Sequence, residues 1–320
     1  MVIRRIFAGF VFLLLLITAS ACNKTVPTLW NNSSDSKEAD NIDAEYAQAY
    51  KDKGVVLDTV ADIFTEPRIN TDRMTQALFN QSVVVLEEKE NWIKVRAADG
   101  STGWMRSKYI DRNCSSIIKE KYKERVVVTG KTKSVHPVPQ DGVTLIEVIM
   151  GTEFYIKSIK DSYYEVALPG GMTGWITTKD TIKLPAGSPI PKTTAEDFIA
   201  TVQKFKGLQY LSGGIGASGG VDSSGLVYIC SRINGIDLPR SAREQYEFVK
   251  NAPEGKDNLK PGDMVFFSLN EDLSDVSQVG VFIGGNMLLY ADSTMGSVTV
   301  KELGNEYFDK RFRGIRRIFD

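Results

Sequence analysis

The sequence predicts two small all-β barrels followed by an α+β domain with an antiparallel sheet. Three observations carry that prediction. First, two segments repeat at a fixed interval: Asn91 to Ile110 and Ser162 to Ile182 each run from an aromatic through a valine and a glycine-containing turn to Thr-Gly-Trp. Trp92 and Tyr163 are 71 residues apart (163 − 92), and so are Trp104 and Trp175 (175 − 104), which marks a duplicated unit. Second, short β-rich runs such as VVVLEE and TEFYIKSI lie between Gly, Asp and Pro, the pattern of closely spaced strands. Third, after LPAGSPIP (184–191) the apolar period turns helical, and from Asp263 it returns to strands. Helices first and strands afterwards, with hairpin-length turns, fit an α+β domain.

At the amino terminus, Arg4 and Arg5 precede an apolar run from Ile6 to Ile17, and small residues lead to Cys22. The run is short of the roughly 20 residues that a bilayer crossing needs, so residues 1–21 read as a secretory signal. ASAC resembles a bacterial lipobox and makes Cys22 the candidate lipidation site, with the membrane a partner through that lipid; ordinary cleavage after Ala21 is the alternative. Residues 22–44 are polar and rich in Asn, Ser and Asp, which suits a flexible tether. The first barrel is placed at 45–115 and the second at 116–186. Trp104 and Trp175 read as barrel core, and Tyr109 as an exposed aromatic open to glycan or peptide.

The last domain is placed at 187–320. Ala195, Phe198, Ile199, Val202 and Phe205 recur at helical spacing behind a Thr193/Glu196 capping box, with Gly207 as the stop. SSGLVYICSRING is a second helix: Asp222 caps it, Leu226, Val227, Ile229, Cys230 and Ile233 form its buried stripe, and Gly235 ends it. Ser241 and Glu244 open a third. DMVFFSL, QVGVFIGG, NMLLYADS, SVTVKEL and RFRGIRRIF read as strands. GGN can turn two of them and bring residues 278 and 290 near each other.

Lys and Arg number 39 against 40 Asp and Glu, for a net charge of -1 with both signs interspersed. No basic stripe offers itself to a phosphate backbone, so nucleic acid is not an expected partner. Of three cysteines, Cys114 lies between domains and Cys230 in an apolar helix face, so no disulfide framework is indicated. No cofactor or metal is expected.

From Tyr210 onward, order and spacing resemble the NlpC family of papain-like cell-wall peptidases. The matching stretches are YLSGG, VDSSGLV, GIDLPRSAREQ, LKPGDMVFF, SQVGVFIGG and LLYADS, over about 130 residues. The repeats resemble bacterial SH3-like domains of cell-wall proteins, and the combination resembles lipid-anchored enzymes that cut between γ-D-glutamate and the diamino acid of peptidoglycan stem peptides. The resemblance implies a papain-like fold, a bacterial envelope location on the periplasmic or outer-membrane side, and a stem peptide or cell-wall protein as partner. It also implies a nucleophilic cysteine at a helix N-terminus, a histidine base on a neighbouring strand and a polar residue that orients the histidine.

This chain carries Ser223, Gln278 and Tyr290 at those three positions. A serine hydroxyl needs a base to ionise; an amide is no base, and a phenol with a pKa near 10 is neutral at pH 7. Losing the whole unit costs on the order of a millionfold in rate, about 8 kcal/mol. Tyr210, Asp222, Ser224 and Arg240 retain the family's groove residues and are the candidate ligand-binding set, while Ser212 and Ala242 replace a tryptophan and a serine. Asp222 also reads as a plain cap, and Arg240 as the partner of an acid in the third helix. Cys230 lies two helical turns deeper than Ser223. Lys204 and Lys206 have no spacing for a Ser-Lys pair, and the only histidine, His136, sits in the second repeat. The reading is an envelope pseudoenzyme that binds without hydrolysis. The alternatives are an active cell-wall endopeptidase that uses Ser223, or an assembly and regulatory protein.

Overall fold

The structure, a computed structural model, describes residues 44–140, 142–271 and 275–319. The signal segment, Cys22 and nearly all of the tether lie outside the described residues. No described helix is long and apolar enough to cross a membrane.

The first barrel follows the strand order Arg73–Leu78, Val60–Phe64, Thr102–Arg106, Trp92–Arg96, Ser82–Lys89, Lys53–Val56, Ile110–Asp111. The second keeps that order. Thr173–Thr177, Tyr163–Ala167, Glu153–Lys160, Glu124–Val128 and Thr181–Pro185 each start 71 residues after their counterparts (for example 153 − 82). The irregularities repeat too: a bulge between Val85 and Glu87 recurs between Ile156 and Ser158. The hairpin tips that follow hold Glu90 and Asp161, both at φ 52°. Bulges add twist and bend the ladder, so each copy curls at the same place.

Trp104 is buried, but not where the sequence suggests. Met105 points into the first barrel with Val56, Ile63 and Val95, so strand alternation turns Trp104 outward, against Phe64 and Trp92. Trp175 is half-buried, and Tyr109 is half-buried against the barrel interior.

In the last domain, helices Ala195–Gln203, Ser223–Ile233 and Ala242–Phe248 precede a sheet of order Ser297–Glu302, Met287–Asp292, Gln278–Gly284, Met264–Phe267, Phe312–Arg316. The first capping box is Thr194/Asp197 rather than Thr193/Glu196, because the Thr193 hydroxyl donates to Asn234 Oδ1 at 2.6 Å. The Ser241/Glu244 box forms as read from the sequence. A short helix, Glu306–Arg311, has no counterpart in the sequence reading.

One face of the sheet (Phe266, Val279, Val281, Leu289, Ala291) packs on the helices. The other (Phe267, Phe282, Leu288, Tyr290) is closed by Phe308 of that short helix. The helix-side core does not stop at the domain border. It continues into Leu78 of the first barrel and Val127, Ile149, Met150 and Leu184 of the second.

Candidate functional site

Ser223 opens its helix. The Asp222 side chain caps it, accepting from Gly225 N–H at 2.6 Å and from the Ser224 hydroxyl at 3.2 Å. The other carboxylate oxygen accepts from Gly213 N–H at 2.8 Å. Gly213 has φ 72°, and a side chain there would press on the Arg73 carbonyl of the first barrel; glycine alone meets both demands.

Arg240 locks this corner. Its Nη atoms grip Asp222 at 3.0 and 2.8 Å, Nη1 also reaches Ser224 Oγ at 2.9 Å, Nη2 the Gly214 carbonyl at 3.3 Å, and Nε Thr75 Oγ1 at 3.2 Å. A guanidinium has five N–H donors, and all five are engaged. The third-helix acid suggested by the sequence is not the partner; the acid is Asp222. The ligand-facing role implied for Arg240 also meets an obstacle, since the side chain is 6% exposed and has no donor to spare. Ser224 is buried beside it, whereas Tyr210 is half-buried with its phenol near Ser212 and Asp222. Burial, then the Asp222 charge, raise the Tyr210 pKa.

The contact that defines the centre is made by Ser223. Its Oγ accepts from Val279 N–H at 3.4 Å, and the residue is 6% exposed. Gln278, one step back on that strand, is buried, and its Oε1 accepts from the Tyr307 hydroxyl at 3.4 Å. The Gln278 and Tyr290 strands form an antiparallel hairpin across GGN. Tyr290 turns away from proton chemistry: it is 1% exposed, ringed by Phe267 and Phe308, and donates to Asp292 Oδ2 at 2.7 Å. Burial first, then the bond and charge of Asp292, hold its phenol well above the usual range. Asp292 in turn accepts from Lys301 Nζ at 2.6 Å and from two backbone N–H groups. Burial alone would raise the Asp292 pKa, but Lys301, Tyr290 and those N–H groups outweigh it and hold the carboxyl low.

The other candidates stand elsewhere. Cys230 is fully buried and its thiol pKa is pushed far up. Lys204 donates to the Thr129 carbonyl of the second barrel. His136 bridges to Trp175, with Nδ1 2.7 Å from the Val143 carbonyl. No group of three or more His, Cys, Asp or Glu among the described residues could hold a metal ion. Sequence reasoning missed Asp292, although its place two residues after Tyr290 on one strand face gave the signal. It also missed Arg73, Thr75 and Gln76. Arg73 donates to the Ser212 carbonyl at 2.9 Å, and Gln76 accepts from Ile215 N–H at 3.0 Å. These contacts bridge 139 residues of chain, and no local pattern encodes them.

Residues 207–317 match the NlpC/P60 family, and residues 59–111 match the bacterial SH3 domain. The carboxy-terminal domain is an NlpC/P60 domain. Among curated relatives, a γ-D-glutamyl-L-lysine dipeptidyl-peptidase of Bacillus cereus is 28% identical over 76% of this chain and 74% of its own. Its namesake from Bacillus subtilis is also 28% identical, over 77% of this chain and 81% of its own. Murein DD-endopeptidase MepS/Murein LD-carboxypeptidase of Escherichia coli is 36% identical over 36% of this chain and 57% of its own. A crystal structure of an NlpC/P60 family protein from Bacillus cereus covers 84% of this chain and 100% of its own at 24% identity, with a TM-score of 0.76. SH3-like barrels followed by a papain-like NlpC/P60 domain are therefore the architecture of this chain.

Proposed function

We propose that the NlpC/P60 domain holds a peptidoglycan stem peptide without cutting it, in a chain anchored to the bacterial envelope by lipid on Cys22. The observation that carries this reading is the bonding of Ser223. Its oxygen is an acceptor from a backbone N–H, and the groups at the base and orienting positions are an amide and a buried neutral phenol. Among the described residues, a hydroxyl so placed has no partner to take its proton.

The curated relatives are named for γ-D-glutamyl-L-lysine bonds, and this points to a stem peptide containing γ-D-Glu-L-Lys as the target. Tyr210, Asp222 and Ser224 flank the helix N-terminus where such a peptide would lie, and Arg240 acts from behind by fixing Asp222. The test is incubation of the purified chain with L-Ala-γ-D-Glu-L-Lys, followed by chromatography and by calorimetric titration. The expected result is intact peptide and measurable binding, unchanged in Ser223→Ala. Turnover abolished by Ser223→Ala overturns the reading in favour of a serine peptidase. Absence of peptide binding overturns it in favour of a protein partner.

A further inference from the structure

We propose that the outer face of the second barrel, around Trp175 and Tyr163, is a docking surface for a protein partner that presents a lysine or arginine side chain. The observation that carries this is a difference between the two copies. In the first barrel, the outward Phe64, Trp92 and Trp104 are each covered by a cation of the same barrel. Arg73 lies 6.0 Å from the Phe64 ring centre, Arg106 5.0 Å from that of Trp92, and Lys94 5.8 Å from that of Trp104. All three rings are buried, so the face is closed by its own charges.

One repeat interval later, two of the rings are kept and the cations are gone. Phe64, Trp92 and Trp104 correspond to Val135, Tyr163 and Trp175 (135 − 64, 163 − 92, 175 − 104). Arg73, Lys94 and Arg106 correspond to Thr144, Glu165 and Thr177 (144 − 73, 165 − 94, 177 − 106). The strand pairing is unchanged: Trp175 stands opposite Glu165 and Tyr163 opposite Thr177, as Trp104 does opposite Lys94 and Trp92 opposite Arg106. Opposed residues share one face of a sheet, so Glu165 occupies the position from which Lys94 covers Trp104. Tyr163 and Trp175 are both partly exposed. Among the described residues, no cation lies over either ring.

The exchange reverses the local charge. Three cations have left the face and one carboxylate has arrived beside Trp175. Glu165 accepts from the Ser158 hydroxyl at 2.7 Å, and a carboxylate has room for further donors. On its other side Trp175 exchanges backbone N–H···O bonds with His136 at 2.8 and 2.9 Å, so it stands between His136 and Glu165. The cation that does come near, Lys133, is buried. Its three N–H donors are spent on the Thr177 hydroxyl and on the carbonyls of Thr177 and Lys179.

The chemistry selects the occupant. A lysine or arginine side chain restores the missing cation, which the rings attract and the Glu165 carboxylate accepts hydrogen bonds from. Val138, two residues after His136, is 52% exposed, and Met172, three before Trp175, is 38% exposed; apolar neighbours of the cation suit them. A neutral sugar lacks the charge. A peptidoglycan stem peptide brings carboxylates of its own towards Glu165, so a protein surface is the better match. The test is titration of the purified, 15N-labelled chain with acetyl-Leu-Lys-Leu-amide, followed at the Trp175 indole N–H resonance, which Trp175→Phe assigns. The same peptide with norleucine in place of lysine, and L-Ala-γ-D-Glu-L-Lys, are the comparisons.

We expect the lysine peptide to move the Trp175 resonance at millimolar concentration, and the norleucine peptide to bind at least about fivefold more weakly. Glu165→Lys, which puts a lysine where the first barrel has Lys94, should abolish the shift without lowering the Tm. Thr177→Arg leaves Glu165 in place and restores the cation of Arg106. It should also weaken binding at least about fivefold, an effect that an ion pair with Glu165 alone would not produce. No movement of the Trp175 resonance with the lysine peptide at about 10 mM overturns the proposal. So does equal binding of the norleucine peptide, or unchanged affinity in Glu165→Lys. Tighter binding of L-Ala-γ-D-Glu-L-Lys at Trp175 overturns it in favour of a wall ligand.

Discussion

Arg240 is the residue on which the candidate site depends most. It neutralises Asp222 inside the protein and ties the helix cap to Thr75 of the first barrel. Removing one partner of such a buried pair strands the other and costs about 3–5 kcal/mol. Arg240→Met should therefore lower stability by that order in a denaturant titration, while Ser223→Ala should change it by less than about 1 kcal/mol. Tyr290 gives a pH signature. Its folded pKa lies above that of an unfolded phenol near 10, so its contribution is complete below pH 10 and is lost as pH rises beyond that value. Thermal melts of Tyr290→Phe should show a flatter alkaline limb than the parent. Asp292 acts in the opposite sense. Its carboxyl is held low, so its contribution is present above about pH 4 and is lost as acid protonates it.

At the scale of elements, the duplicated barrels allow a sharp test. Gly151 has φ 90°, and a β-carbon there would sit 2.5 Å from Ile229 Cδ1 of the Ser223 helix. Gly151→Ala should cost about 1–3 kcal/mol through backbone strain and overpacking, visible as a lower Tm. Asn80, its counterpart 71 residues earlier, already holds φ 60°, so Asn80→Gly should add no backbone strain and cost about 1 kcal/mol through loss of the Asn80 Nδ2 bond to the Glu153 carbonyl.

The strands, the three helices before the last sheet and the repeat interval were legible because alternation, helical spacing, capping residues and fixed-period similarity are local properties of the sequence. The place of Ser223 at a helix start and of Gln278 and Tyr290 on one hairpin was legible from the cap residue and the glycine turn. Three features were hidden. The choice of Thr194 over Thr193 as cap depends on Asn234, 41 residues away. The outward turn of Trp104 depends on register, which one residue inverts. The saturation of Arg240 depends on Thr75, 165 residues away.

For the whole molecule, the core shared by the barrels and the NlpC/P60 domain predicts joint unfolding. Leu78, Val127, Ile149, Met150 and Leu184 are buried in the same cluster as Ile229 and Phe198, and separating the domains would expose them all. Differential scanning calorimetry should show a single transition, and residues 187–320 expressed alone should melt lower or aggregate. Well-separated transitions in the intact chain would contradict this account.

The saturated arginine carries one more consequence. In the peptide complex proposed above, a buried corner whose polar groups have already spent their bonds would not remodel itself around a visitor, so recognition there would be lock-like. On that proposal, stem peptides differing by one methyl group would be sorted by fit, and stopped-flow association should show a single kinetic phase without a slow rearrangement.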